Sequence, residues 1–181
     1  VMLVYVQAVD SQDAQFSSPR RQLAQKDTMN LLKTVNYNKF GGLMGLLPLY
    51  IGQRVRLTTK PSNKLKLVQE ATGTVQEIKF HEREFPQPYD GRSWVEDENH
   101  PAGKVQGCVR LQRLPRAVLV KFDALKTDLG YGPGVVAVKP CFGLKRHDYT
   151  FHAAENIGRV TKVKIKRLQL PLMPEKVRTT Q

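Results

Sequence analysis

Alternation of apolar and polar positions organises the stretch from Leu47 to Phe80, which reads LPLYIGQRVRLTTKPSNKLKLVQEATGTVQEIKF. Val55 and Leu57 alternate with Arg54, Arg56 and Thr58, the period-two pattern of a strand with one buried and one wet face. The wet face is cationic. Thr74-Val75-Gln76-Glu77-Ile78 predicts a second strand. Val75 and Ile78 fall out of phase within it, which calls for a bulge or burial on both sides. Gly52 and Gly73 precede the two runs, where the chain turns sharply and glycine reaches backbone angles that cost other residues energy. The stretch therefore predicts two strands joined by a basic turn that carries Lys60, Lys64 and Lys66, the start of a small curled sheet.

The same patterning extends along the chain. Leu3 to Val9 alternates as a strand that Asp10-Ser11 closes. Ser17-Ser18-Pro19 supplies a capping serine and a first-turn proline for a helix running to about Leu32, with Leu23, Met29, Leu31 and Leu32 on its apolar side. Asn36 to Gly42 breaks that helix, and Gly41-Gly42 with Gly45 marks a loop. His81 to Lys104, rich in proline, glycine and acid, reads as an exposed loop. Strands are expected at Val109-Arg110-Leu111, at Ala117 to Phe122 as a central strand after a turn near Leu114-Pro115, and at Gly134 to Val138 before Pro140. Asp123 to Pro133 is a loop between them. Cys141 to Asn156 is mixed in pattern, with Tyr149 and Phe151 as candidate core residues.

The last run changes the picture most. Lys162-Val163-Lys164-Ile165-Lys166 places three lysines on one strand face and Val163 and Ile165 on the other, and Arg167 extends the charge. Two readings are open: a lysine ladder protects an edge strand from aggregation, or it tracks phosphates, as Arg54 and Arg56 suggest for the central stretch. Composition favours a polyanionic partner. The 181 residues carry a formal net charge of +13, with a sequence pI near 9.9. Nucleic acid is the first candidate and an acidic membrane surface the second. No apolar run approaches the roughly 20 residues that span a bilayer, and the short apolar start lacks a basic leader, so the expected location is intracellular.

Catalytic signatures are missing. The sequence has no GxxxxGK[ST] phosphate loop and no GxGxxG unit. Cys108 and Cys141 lack the spacing of a zinc site or a disulfide framework, and His81, His100, His147 and His152 are scattered. Binding is the stronger direct inference.

Against that background Leu47 to Thr58, Leu67-Val68 and Ala71 to Val75, followed in order by Leu114 to Asp123, Pro133 to Pro140 and Lys166 to Pro174, resemble the part of Pif-type, RecD-like superfamily-one DNA helicases where an SH3-like barrel is inserted into the second motor domain. Arg178-Thr179-Thr180-Gln181 resembles the opening of that family's T-x-x-x-x-Q-G motif, with Thr179 at the motif threonine. The resemblance covers roughly residues 40 to 181. It implies an α+β, mainly β fold: an SH3-like β-barrel inserted in an incomplete RecA-like α/β domain. Residues 1–46 would be a RecA-like segment, 47–158 the barrel with a variable loop at 81–104, and 159–181 the return strand and helicase motif. It further implies a fragment of an ATP-dependent 5′-to-3′ DNA helicase, nuclear or mitochondrial in a eukaryote. Single-stranded or forked DNA and the rest of the motor would be its partners, and no membrane. ATP and magnesium are implied for the parent enzyme and not for this chain, which lacks the Walker motifs and is expected to be inactive alone. Candidate phosphate contacts are Arg54, Arg56, Lys60, Lys64, Lys66, Lys162, Lys164, Lys166 and Arg167, with Thr179 as a backbone contact; Tyr50 and Phe80 are candidate base-stacking residues whose other reading is core packing. The competing class is a stand-alone basic SH3-like or OB-like module that binds RNA or an acidic protein.

Overall fold

Strand patterning dominates the structure. The computed structural model describes residues 3–13, 25–34, 36–60, 65, 67–84, 108–111, 113–150 and 162–175, with Cys108, Val109, Arg110 and Lys162 described in backbone only. The described chain is mainly β, with one α-helix and one 3-10 turn. The predicted helix start at Ser17, the apolar Leu23, the acidic loop beyond Glu84, Phe151 and the motif at Thr179 all lie outside the described residues.

The predicted first strand is two strands. β1 (Leu3–Gln7) and β2 (Val9–Gln12) are separated by Ala8, whose N–H donates to the Gly45 carbonyl at 2.8 Å. Asp10 and Ser11 do not close a strand; they continue the chain into another sheet, because their pairing partners lie on a late strand. The helix α1 (Gln25–Leu32) buries Leu31 and Leu32. Asn36 then caps the 3-10 turn Tyr37–Phe40 by accepting from the Asn38 N–H at 3.2 Å, and Gly41 ends it at φ 68°.

The Leu47 to Phe80 stretch likewise holds three strands and not two. β3 (Leu46–Leu49) pairs antiparallel with β1, whereas β4 (Arg54–Leu57) and β5 (Thr72–Lys79) form a hairpin in a different sheet. Gly52, at φ 90°, makes the turn between β3 and β4. The out-of-phase positions in β5 are a bulge: the register against β7 (Ala117–Phe122) shifts between Val75 and Glu77. Val55 and Leu57 are buried as their alternation predicts, but Thr58 is buried too, since β4 has ended and the chain turns inward there.

After β6 (Cys108–Leu111) and β7 come β8 (Val135–Val138), β9 (Cys141–Phe142), β10 (His147–Thr150), β11 (Lys162–Gln169) and β12 (Leu172–Pro174). Three sheets result, with strand orders β3-β1-β6, β10-β11-β2 with β9 also on β11, and β12-β4-β5-β7-β8. The five-stranded sheet is an open antiparallel path, and among the described residues no pairing joins β12 to β8 to close a barrel. Its apolar face and that of the three-stranded sheet share the main core, in which Val4, Val6, Leu47, Leu49, Val55, Leu57, Val118, Val120 and Phe122 are buried. Burial of such side chains stabilises the fold by about 1.5–3 kcal/mol each relative to exposure.

A second, smaller core lies under the four-stranded sheet, where Val163 and Ile165 of β11 pack with Leu31, Phe40 and Leu43. Arg167 ends this row. Its guanidinium is completely buried, forked onto the Asp10 carboxylate by two bonds of 2.7 Å, and it donates to the carbonyls of Leu31 at 2.9 Å and Leu43 at 3.3 Å. Its centre stands 3.6 Å from the Phe40 ring centroid. One side chain thereby joins β11, β2, the end of α1 and the loop after the 3-10 turn. Beside it Gln169 is also buried and satisfied: its amide donates to the Val6 carbonyl at 3.0 Å and accepts from the Leu170 N–H at 3.0 Å.

His147, on β10, meets the Phe40 ring edge-on at 5.0 Å. Burial, followed by the nearby Lys39 charge, lowers its pKa from the ordinary 6.5. The folded state thus favours neutral imidazole, so this contribution is complete above pH 6.5 and is lost as pH falls through the lowered value. Thermal midpoints measured from pH 8 to pH 5 should fall more steeply for the parent chain than for His147→Gln. Equal slopes would remove His147 from the acid response.

Candidate nucleic-acid interface

In a sheet, directly paired residues share a face and alternate residues change it. Lys164, Lys166 and Leu168 of β11 therefore lie on the face opposite the buried Val163, Ile165 and Arg167. Register extends this face across the neighbours: Asp148 stands opposite Lys164, Ser11 opposite Lys166, and both Val9 and Phe142 opposite Leu168. Lys164 Nζ is 2.6 Å from the Asp148 carboxylate, an exposed pair worth little against solvent. Lys166 Nζ stands 4.8 Å from the centroid of the Phe142 ring.

The lysine ladder is not an edge device. β11 lies between β10 and β2, so its backbone groups are already paired on both sides and need no protection from another strand. Lys162, the third member, is described only in backbone, paired opposite Thr150. Arg167 must be withdrawn from the phosphate set: strand alternation sends it inward, where Asp10 and two carbonyls consume its donors.

The β4 arginines stand in a different electrostatic setting. Arg54 is forked onto Asp123 at 2.8 and 2.6 Å and donates through Nε to Glu175 at 2.9 Å. Thr72 adds a hydroxyl bond to Asp123 at 2.9 Å. The Arg54 bond holds the Asp123 carboxyl below its ordinary range, and the same bond raises Arg54. Arg56 is paired with Glu70. One arginine thus meets two carboxylates and the other meets one, so this face carries little net positive charge. The wet face read from the sequence is ionic but compensated.

Arg56 Nε and the Thr58 hydroxyl are buried without a hydrogen-bond partner, and both residues line an open cleft of about 270 Å³ with Tyr37, Asn38, Gln69 and Glu70. Lys60 is exposed, while Lys64, Lys66 and Thr179 lie outside the described residues. Tyr50 is 38% exposed beside the exposed Ile51, at the turn before β4, and is therefore available to a ligand. Phe80 packs against the main core.

The aromatic on the lysine face is Phe142, which the sequence reading passed over. Two residues of β9 are too short for a period to show, and only the register with β11 places that ring beside Lys166. Cys141, its neighbour, has a thiol pushed up by burial and so disfavoured as a thiolate. Among the described residues no three His, Cys, Asp or Glu side chains gather where they could hold a metal ion, and no helix is long and apolar enough to cross a membrane.

No protein-family model matches the sequence, and no curated protein matches it. Solved structures with a similar arrangement include a Pif1 helicase from Candida albicans, 16% identical, with a TM-score of 0.41 over 95% of this chain and 28% of that one. Unliganded Pif1 from Bacteroides sp is 9% identical, with a TM-score of 0.42 over 96% of this chain and 24% of the other. Bacteroides Pif1 bound to ssDNA is 9% identical, with a TM-score of 0.41 over 95% and 24%. The chain spans about a quarter of the length of the Pif1 chains it matches. Likeness of this extent leaves its function to be argued from its own residues.

Proposed function

We propose that this chain is a nucleic-acid-binding fragment of an ATP-dependent 5′-to-3′ DNA helicase, which grips single-stranded DNA while the parent's motor parts bind ATP and magnesium and supply the motion. The observation that carries the binding part is the central position of β11, which places Lys166, and Lys164 with its exposed partner Asp148, on the sheet face opposite the buried Val163 and Ile165. A cationic row on a strand fixed from both sides and from beneath is a rigid phosphate track, and rigidity lowers the ordering cost of binding. The helicase part rests on the ordered motif resemblance of residues 40 to 181. In this reading the five-stranded sheet is the core of the inserted SH3-like unit. Lys60, Lys162, Lys64, Lys66 and Thr179 are the further candidate contacts that the sequence supplies to this reading. Arg54 and Arg56, already matched by carboxylates, contribute less.

Titration of labelled single-stranded DNA at several salt concentrations tests the track. Each neutralised phosphate adds about 0.7 to the log–log salt slope on single strands. Replacing Lys162, Lys164 and Lys166 with glutamine is expected to flatten the slope by about 2. A slope unchanged by the triple replacement removes the ladder from the interface.

A further inference from the structure

Beside its lysines, the face of the four-stranded sheet carries an apolar row that phosphate contacts leave unused. Val9, Leu168 and Phe142 stand side by side across β2, β11 and β9. Val9 is 48% exposed and Phe142 is 50% exposed. Leu144, two residues further on, is 88% exposed. Three strands about 4.8 Å apart make a strip roughly 10 Å across. It is an exposed hydrophobic patch bordered by ammonium groups, and Lys166 covers one face of the Phe142 ring while half of that side chain stays open to solvent.

The chemistry of the strip narrows its occupant. Flat apolar faces joined to a chain of anions would satisfy ring and lysines together, and that is the chemistry of a single-stranded nucleic acid. A duplex offers the phosphates but keeps its base faces stacked inside. An acidic peptide offers the charge without the flat faces. We propose that Phe142, flanked by Leu168 and Val9, is a base-stacking platform through which this face selects single strands over duplexes. The inference rests on the nucleic-acid reading above and deepens it.

The test uses the 181-residue chain and three fluorescein-labelled probes at one salt concentration: oligothymidine, an abasic strand of the same length, and a duplex. Phe142→Ala should bind oligothymidine roughly 5- to 150-fold more weakly, should bind the abasic strand as the parent does, and should keep the parent's salt slope. Phe142→Trp, made with Trp94→Phe so that it carries the one tryptophan, should retain affinity and be quenched by oligothymidine but not by the abasic strand. That second variant guards against a merely misfolded alanine protein. Equal weakening on the abasic strand, no weakening on oligothymidine, or an unquenched tryptophan overturns the platform. If the platform fails while the lysine replacements still flatten the slope, the nucleic-acid reading stands alone; if no probe binds the parent, both fall.

Discussion

Arg167→Met is expected to lower the stability of the chain by about 3–5 kcal/mol, the usual cost of stranding a buried partner charge. The Asp10 carboxylate is as completely buried as the guanidinium it faces. Without Arg167 it loses that cation, and the Leu31 and Leu43 carbonyls each lose the guanidinium bond, although Leu31 still accepts from the Thr34 N–H. For a chain of this size that loss lowers the thermal midpoint by roughly 6–20 °C. Methionine keeps much of the volume over Phe40, so the change reports the charge and the hydrogen bonds more than a cavity. Arg167→Met combined with Asp10→Leu removes both charges and should recover part of the loss, because a buried pair replaced by apolar groups is often neutral. Urea unfolding of the parent, the single and the double variants decides it. A single variant within about 1 kcal/mol of the parent would show that Asp10 finds another partner or takes up a proton.

Gly143→Ala is the second large change. A Cβ at Gly143 would lie 2.3 Å from the Phe40 carbonyl oxygen and 3.2 Å from its carbon, so it would collide with backbone that cannot rotate away. Gly41 makes the reciprocal approach, with a would-be Cβ 2.9 Å from the Leu144 nitrogen. These two glycines let the end of the 3-10 turn and the end of β9 touch, and Gly143 N–H also donates to the Arg167 carbonyl at 3.0 Å. Overpacking of this kind costs about 1–3 kcal/mol, and backbone collision places Gly143→Ala at the upper end. Because Phe142 is the adjacent residue, the alanine variant should also bind single strands more weakly with the ring intact. Thermal melts with oligothymidine titration measure both effects; an unchanged melting point would mean that β9 moves away without cost.

The sequence made the strands legible where alternation was long enough. Val55, Leu57, Val163 and Ile165 are buried as read, and the phase break between Val75 and Ile78 is a bulge. Sheet membership was not legible. Nothing in Leu3 to Gln12 says that Ala8 divides it between two sheets, because pairing is set by strands far along the chain, β3 and β6 for the first part and β11 for the second. Arg167 shows the limit of reading charge as surface: its alternation parity with Val163 and Ile165 pointed inward, but only the facing Asp10 makes a buried guanidinium tolerable. Arg54 and Arg56 show another limit, since their carboxylate partners Asp123, Glu175 and Glu70 lie 14 to 121 positions away. The ladder on β11 was readable, but its central place and the ring beside it required the register.

The change of sheet at Ala8 carries a consequence for binding. β2 is the outer neighbour of β11, and Ala8 alone joins its four residues to β1, the middle strand of the sheet built on the main core. Val9 and Ser11 belong to the lysine face, so an occupant there lies directly on this short edge strand. Local opening of Val9 to Gln12 would then have to expel the occupant, and the energy needed for that opening rises with occupancy by mass action. If the outer face binds as proposed, its occupancy and the order of the chain's first strands are two readouts of a single equilibrium.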